Sequence, residues 1–320
     1  MNKYMYNEKT INELRNYLNT DKTRYLNMPK FVFLCGKAYP ANQEEDNTNR
    51  GKTERYLEGK IPNAYTVLSE KSWVDDFNSD IDLLTFEEFL AEISDFIILF
   101  VESYGSACEL GAFSYDSKLF LEKLLVIIDE TFENDKSFIN QGPVSKLKKN
   151  GGHIAYADLN ESGSLLSSQN YRDSMNLVAN EINKKKSINK KRPIVNEDQV
   201  YLNTFFIEFL ELVRLLQPVA KSEVIYLYKK LKNFDSYTFV KTDGSKFIRE
   251  IRLEFIKNLL ISMELLQEDS NGLLSIHEGE VKKYFENIQA INCLFSFTDK
   301  QFNKYRAKLI ARGYKYGKWK

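Results

Sequence analysis

Cysteine is scarce in this chain: Cys35, Cys108 and Cys293 are far apart and odd in number. That argues against a disulfide framework and fits a reducing cytoplasm. Histidine is scarcer still, with only His153 and His277. Two isolated histidines do not make a histidine-based metal site or a Ser-His-Asp triad. No uninterrupted apolar run reaches the ~18 residues of a spanning helix, so none is expected. The opening residues lack the apolar core of a signal peptide. Nor is there an excess of charge of one sign. The 45 basic and 45 acidic residues cancel, so nothing global demands a nucleic acid or a membrane surface.

What is present is enough chain for two domains, 320 residues. Short continuous apolar runs stand at 30–36 (KFVFLCG), 64–70, 96–101 (FIILFV), 123–129 (KLLVIID) and near GHIAYAD. Helical patterns separate them, which is the arrangement of a doubly wound parallel α/β sheet buried on both faces. Three Ser/Thr-x-x-Glu pairs read as capping boxes at helix starts: Thr10/Glu13, Thr85/Glu88 and Ser106/Glu109. Pro143, directly after Gly142, suits the first position of a short helix. Residues 1–185 are therefore expected to form one α/β domain.

A basic linker follows at 186–197, within a run carrying Lys184, Lys185, Lys190 and Lys191. Residues 198–298 read as helices followed by a hairpin around Asp269-Ser270-Asn271-Gly272, a pattern expected of a winged helix-turn-helix-like domain. The tail 299–320 is basic, with Phe302, Tyr305, Tyr314, Tyr316 and Trp319 interleaved. Lys184, Lys185, Lys190, Lys191, Arg312, Tyr314, Lys315 and Trp319 are the expected nucleic-acid or partner contacts, since bases stack on aromatic faces while cations hold phosphates.

In open α/β sheets ligands bind at the carboxyl ends of the strands. Cys35 and Gly36, then Glu102, Ser103, Gly105 and Ser106, then Asp129 all fall at such ends, and Asn140 follows in the next loop. Glu109 has two readings. It completes a capping box with Ser106, or it faces a ligand at the sheet edge. Carboxylates among small residues, without histidine, suit chemistry at an anomeric carbon, where the transition state resembles an oxocarbenium ion.

The blocks FLCG, SDFIILFVESYGSACELGAFS, KLLVIID and KSFINQGPV resemble, over about residues 30–150, the nucleoside 2-deoxyribosyltransferase-like effectors encoded beside retron reverse transcriptases. The resemblance implies a nucleoside deoxyribosyltransferase-like fold, a winged-helix-like domain behind it, and an N-glycosidase. It places the nucleophile at Glu109 and ribose binding at Glu102, with no cofactor or metal and with NAD the expected substrate. Relatives can carry proline where Tyr104 stands. The resemblance further implies an antiphage toxin restrained by the reverse transcriptase and its multicopy single-stranded DNA, sometimes in larger assemblies, in the cytoplasm and away from membranes. Nucleosides or DNA bases are the alternative substrates. A second class of reading is a DNA-binding regulator with a ligand-sensing α/β domain. Against it, 247–266 mixes Arg249, Arg252 and Lys257 with Glu250, Glu254 and Glu264, where a duplex reader needs a basic helix.

Overall fold

The computed structural model describes residues 6, 8–19, 30–37, 48–61, 64–69, 82–115, 118–160, 169–184, 195–247, 252–277 and 294–315. Lys185, Lys190, Lys191 and Trp319 lie outside them. The chain divides into two compact units, one of Pro29–Lys185, the other of Met1–Met28 with Lys186–Lys320. The first helix, α1 (Glu8–Arg15), thus belongs to the second unit and not, as expected, to the α/β domain.

The α/β unit runs β1 (Lys30–Cys35), α2 (Asn49–Lys60), β2 (Ala64–Val67), α3 (Leu83–Ile93), β3 (Phe96–Val101), α4 (Tyr104–Ser114), α5 (Lys118–Leu121) and β4 (Leu124–Asp129). A π-turn (Asn140–Val144), α6 (Ser145–Lys149), β5 (His153–Ala157) and α7 (Gln169–Lys184) complete it. The five strands are parallel, in the order β2-β1-β3-β4-β5. Their apolar runs are continuous because both faces are covered. On one face Val32, Leu34, Phe96, Ile98, Phe100, Leu125 and Ile127 pack with Tyr171, Met175 and Val178 of α7. On α4, Phe113 meets Phe33 edge to face at 6.5 Å. The strand order reverses between β1 and β3, the switch point at which ligands bind in such sheets.

Helix starts differ from the sequence expectation in a consistent way. Asp82, not Thr85, caps α3, its Oδ1 accepting from Thr85 N at 2.7 Å. Thr10 lies inside α1 and is buried, and Glu13 pairs with Lys308. Pro143 starts no helix; it sits inside the π-turn that leads into α6.

The second unit contains β6 (Gln199–Tyr201), α8 (Leu202–Leu216), β7 (Val219–Ala220), α9 (Lys221–Lys232), β8 (Thr238–Val240), α10 (Leu253–Ser262), β9 (Leu266–Glu268), β10 (Leu273–Ile276) and α11 (Asp299–Lys315). Nearly every side chain of α8 is buried. Its charged residues are accordingly bonded. Glu208 accepts from Tyr228 Oη at 2.9 Å and Lys232 Nζ at 2.6 Å. Glu211 accepts the backbone N–H groups of Leu294 and Phe295 at 2.6 and 3.1 Å. Strands β7, β10 and β9 form a three-stranded antiparallel sheet in that order. At the tip of the β9–β10 hairpin Asp269 Oδ1 accepts from Asn271 N and Leu273 N.

Two placements explain the second unit's membership. Arg15 of α1 donates to Lys230 O at 2.5 Å and to Asn233 Oδ1 at 2.6 Å, satisfying the last turn of α9. Leu18 bridges to Phe295. The segment expected to be a solvated or nucleic-acid-binding tail is helical through Lys315, and two of its aromatics are packing residues. Phe302 lies under the Arg214 guanidinium at 5.0 Å, and Tyr305 stacks with Phe297 at 5.4 Å; both are buried. The structure describes no side chain for Lys184, Arg312, Tyr314 or Lys315.

Candidate active site

The switch point lies where β1 and β3 end. Cys35 closes β1 with its side chain buried, and Gly36 follows. A Cβ on Gly36 would lie 3.1 Å from Glu102 Oε1 and 3.2 Å from Phe100 Cβ, so glycine lets the two strand ends approach. Glu102, just beyond β3, ties this edge together. Its Oε1 accepts from Lys37 N at 3.1 Å and its Oε2 from Asn49 Nδ2 at 2.8 Å. Asn49 also donates to Leu159 O at 3.2 Å, reaching the loop after β5. Arg50 is buried and donates to Lys37 O at 2.7 Å.

Asn49 and Arg50 are residues that sequence reasoning missed. Their segment reads as a polar loop, yet Thr48 caps α2 there, its Oγ1 accepting from Gly51 N at 3.1 Å. The Thr-Asn-Arg-Gly stretch holds that cap signal, but at one residue per role it is too short to stand out from polar loop composition.

The turn into α4 decides how Glu109 is read. Ser103 is the N-cap of α4, and Ser106 is its capping-box partner. Ser103 Oγ accepts from Ser106 N at 3.1 Å, and Ser106 Oγ accepts from Ser103 N at 2.9 Å and Glu102 N at 3.0 Å. Ser106 is fully buried, so its hydroxyl shapes the turn. Glu109 is therefore not the cap that its spacing from Ser106 suggests. It stands one turn further along the helix, with Oε2 shielded from solvent. Helical side chains lean toward their own N-terminus, so Glu109 leans back toward the edge where Glu102 and Gly105 lie.

Asp129 ends β4 beside β3. Its Oδ1 accepts from Thr131 N at 3.0 Å and Thr131 Oγ1 at 2.5 Å, its Oδ2 from Leu159 N at 3.1 Å. Burial pushes its carboxyl up, but these hydrogen bonds outweigh burial and hold it below the ordinary carboxylate value. A carboxyl lowered on folding stabilises the fold above its unfolded value, and that contribution is lost as pH falls through the folded value. Asp129→Asn is accordingly expected to melt earlier at neutral pH and to lose less on acidification below about pH 4. Thermal melts across that range check this; parallel curves for both proteins would remove Asp129 from the acid response.

Asn140 opens the π-turn, its Nδ2 donating to Phe132 O at 2.7 Å and Asp135 O at 2.9 Å. Its Oδ1 is buried and accepts no hydrogen bond among the described residues. The π-turn packs against α4, which brings the block holding Asn140 to the helix holding Glu109. π-Turns of this kind recur at functional sites.

His153 is not at this edge. It begins β5 at the opposite end, stacked on Phe96 at 6.3 Å, and His277 belongs to the other unit. Among the described residues no cluster of His, Cys, Asp or Glu could hold a metal ion, and no helix is long and apolar enough to cross a membrane.

A family model described as the STM3845 retron effector protein matches residues 46–268, through most of both units. A protein of the Escherichia coli retron Ec73, provisionally named a ribosyltransferase/DNA-binding protein, is 34% identical over 142 residues, 42% of this chain and 44% of the relative. The counterpart of Escherichia coli retron Ec86, named in the same way, is 54% identical over 67 residues, 21% of this chain and 22% of the relative. The chain thus matches less than half the length of each of these relatives.

Proposed function

The chain belongs to the STM3845 retron effector family, and on that footing we propose that its α/β unit hydrolyses the N-glycosidic bond of a nucleotide, NAD first among them, with Glu109 as nucleophile. The observation that carries this reading is the Ser103–Ser106 capping box. It removes helix capping as the explanation for Glu109, which stands one turn into the helix that follows β3.

The chemistry follows in two displacements. The Glu109 carboxylate attacks C1′ as the C1′–N bond breaks, and the bonding pair departs with the base. Water then attacks C1′ of the ribosyl ester, loses a proton to solvent, and frees Glu109. Glu102, fixed by Lys37 N and Asn49, is placed to hold ribose hydroxyls at the same edge. A neutral base needs a proton in order to leave. Among the described residues of the α/β unit, His153 stands at the opposite end of the sheet, and Asp129 is held in its charged form. Nicotinamide departs from a cationic ring as a neutral molecule and needs no acid, which supports NAD over nucleosides and DNA bases.

The second unit supports a docking role. Its order α8-β7-α9-β8-α10-β9-β10, with β7, β10 and β9 forming one antiparallel sheet, supports reading it as winged-helix-like. On α10, Lys257 is bonded to Glu268 at 2.7 Å and to Glu254 at 2.6 Å, and Lys221 also pairs with Glu254. A helix whose basic residues are neutralised this way is a poor duplex reader. That favours docking on the retron reverse transcriptase and its multicopy single-stranded DNA, aided by the basic segments around Lys184–Lys191 and Arg312–Trp319, over a DNA-binding regulator.

Purified protein freed of partners should release nicotinamide from NAD, read by chromatography. Folded protein that releases neither nicotinamide nor a nucleobase, yet binds duplex DNA sequence-specifically, would transfer the function to the regulator reading.

A further inference from the structure

Single apolar side chains on a protein surface are ordinary, but a cluster of them marks a binding surface. Four of the large ones exposed among the described residues are aromatic; Tyr115 caps the end of α4, and the other three follow adjacent strands at the carboxyl edge. Tyr104 (95% exposed) comes three residues after the end of β3, and Phe132 (52%) three residues after the end of β4. Phe138 (84%) follows shortly after Phe132. Strands β3 and β4 are paired, with Val101 opposite Ile128, so these turns emerge side by side next to Glu102.

The rings are not on loose chain. Phe132 sits in a turn started by Asp129, and its carbonyl is held by Asn140 Nδ2. The Phe138 ring lies over Gly142, its atoms 3.6–3.8 Å from where a Cβ would stand. One side of the ring is thus backed by the π-turn while most of its surface faces solvent. The π-turn in turn rests on α4.

We propose that Phe138, with Phe132 and Tyr104, forms a stacking platform for the heteroaromatic ring of the nucleotide whose ribose meets Glu102 and Glu109. It deepens, and rests on, the N-glycosidase reading. A base bonded to C1′ must lie within one ring's length of Glu109, and the platform stands on the turns after β4 and on the first residue of α4, the helix that carries Glu109. Flat apolar faces accept any base or nicotinamide by stacking.

The test separates this platform from the reaction. In protein carrying Glu109→Gln, equilibrium binding of NAD and of ribose 5-phosphate is measured by calorimetry, with and without Phe138→Leu. Leucine keeps apolar bulk and removes the π face. The expected result is about tenfold weaker NAD binding with ribose 5-phosphate unchanged. In the otherwise unchanged enzyme Phe138→Leu should raise KM for NAD by about tenfold and leave kcat within about twofold. If no base is ever released but the binding difference holds, the platform stands and the glycosidase reading falls. NAD binding unaffected by Phe138→Leu overturns the platform, as does equal weakening of both ligands. A changed sedimentation coefficient with unchanged NAD binding overturns it too and assigns the patch to self-association.

Discussion

Glu109→Gln is expected to fold like the parent and to lose at least about 10³-fold in base release, because the amide cannot form the ribosyl ester. The fold should survive because α4 does not use Glu109 to begin. Ser103 and Ser106 satisfy each other's backbone donors. The complementary variant moves the opposite quantity. Ser103→Ala removes the N-cap hydroxyl and should cost about 1 kcal/mol of stability, with a far smaller loss of turnover. Melting temperature and base release measured on both variants check the pair. If Glu109→Gln keeps full activity, Glu109 is not the nucleophile.

Glu102→Ala carries the second large effect. The Glu102 carboxylate connects the residue after β1, through Lys37 N, to the start of α2, through Asn49. Removing it leaves the buried Asn49 amide without that acceptor, a loss of about 1–3 kcal/mol. It also frees the turn that positions Glu109, and a displacement of about 1 Å at a reacting group can cost about 10²-fold. The expected outcome is a lowered melting temperature together with a kcat/KM reduced by about 10²-fold. Glu102→Gln should fall between, since both partners are donors and an amide oxygen can satisfy only one of them. A melting temperature that falls while kcat/KM stays within about twofold would make Glu102 a strut and nothing more.

The places where sequence and structure part share one cause. Thr10/Glu13, Thr85/Glu88 and Ser106/Glu109 all fit the capping-box spacing. That spacing, three residues, is also close to one helical turn. The same signature therefore occurs within the first turns of a helix already begun. Asp82 and Ser103 start α3 and α4 one turn earlier, so Glu88 and Glu109 stand one turn deeper in their helices and are not part of the cap. Glu13 pairs with Lys308. Glu109 becomes the strongest candidate for catalysis because its capping role disappears. In the same way Phe302 and Tyr305, which look like stacking residues in a basic tail, are spent on the interior by a helix whose buried side is visible only once α8 is in place.

The apolar runs by themselves determined the parallel sheet, since a strand buried on both faces must be apolar throughout. Glycine and carboxylates placed just past those runs likewise marked the carboxyl edge as the candidate site. The tertiary structure alone decided that Glu102 bridges β1 to α2, that Asn49 and Arg50 stand beside it, that the π-turn lies against the helix of Glu109, and that α1 belongs with the C-terminal unit. Each of those facts is a contact between segments distant in the chain, from Lys37 with Glu102 to Arg15 with Asn233. Local spacing records which faces must be buried, and not which distant partner will cover them.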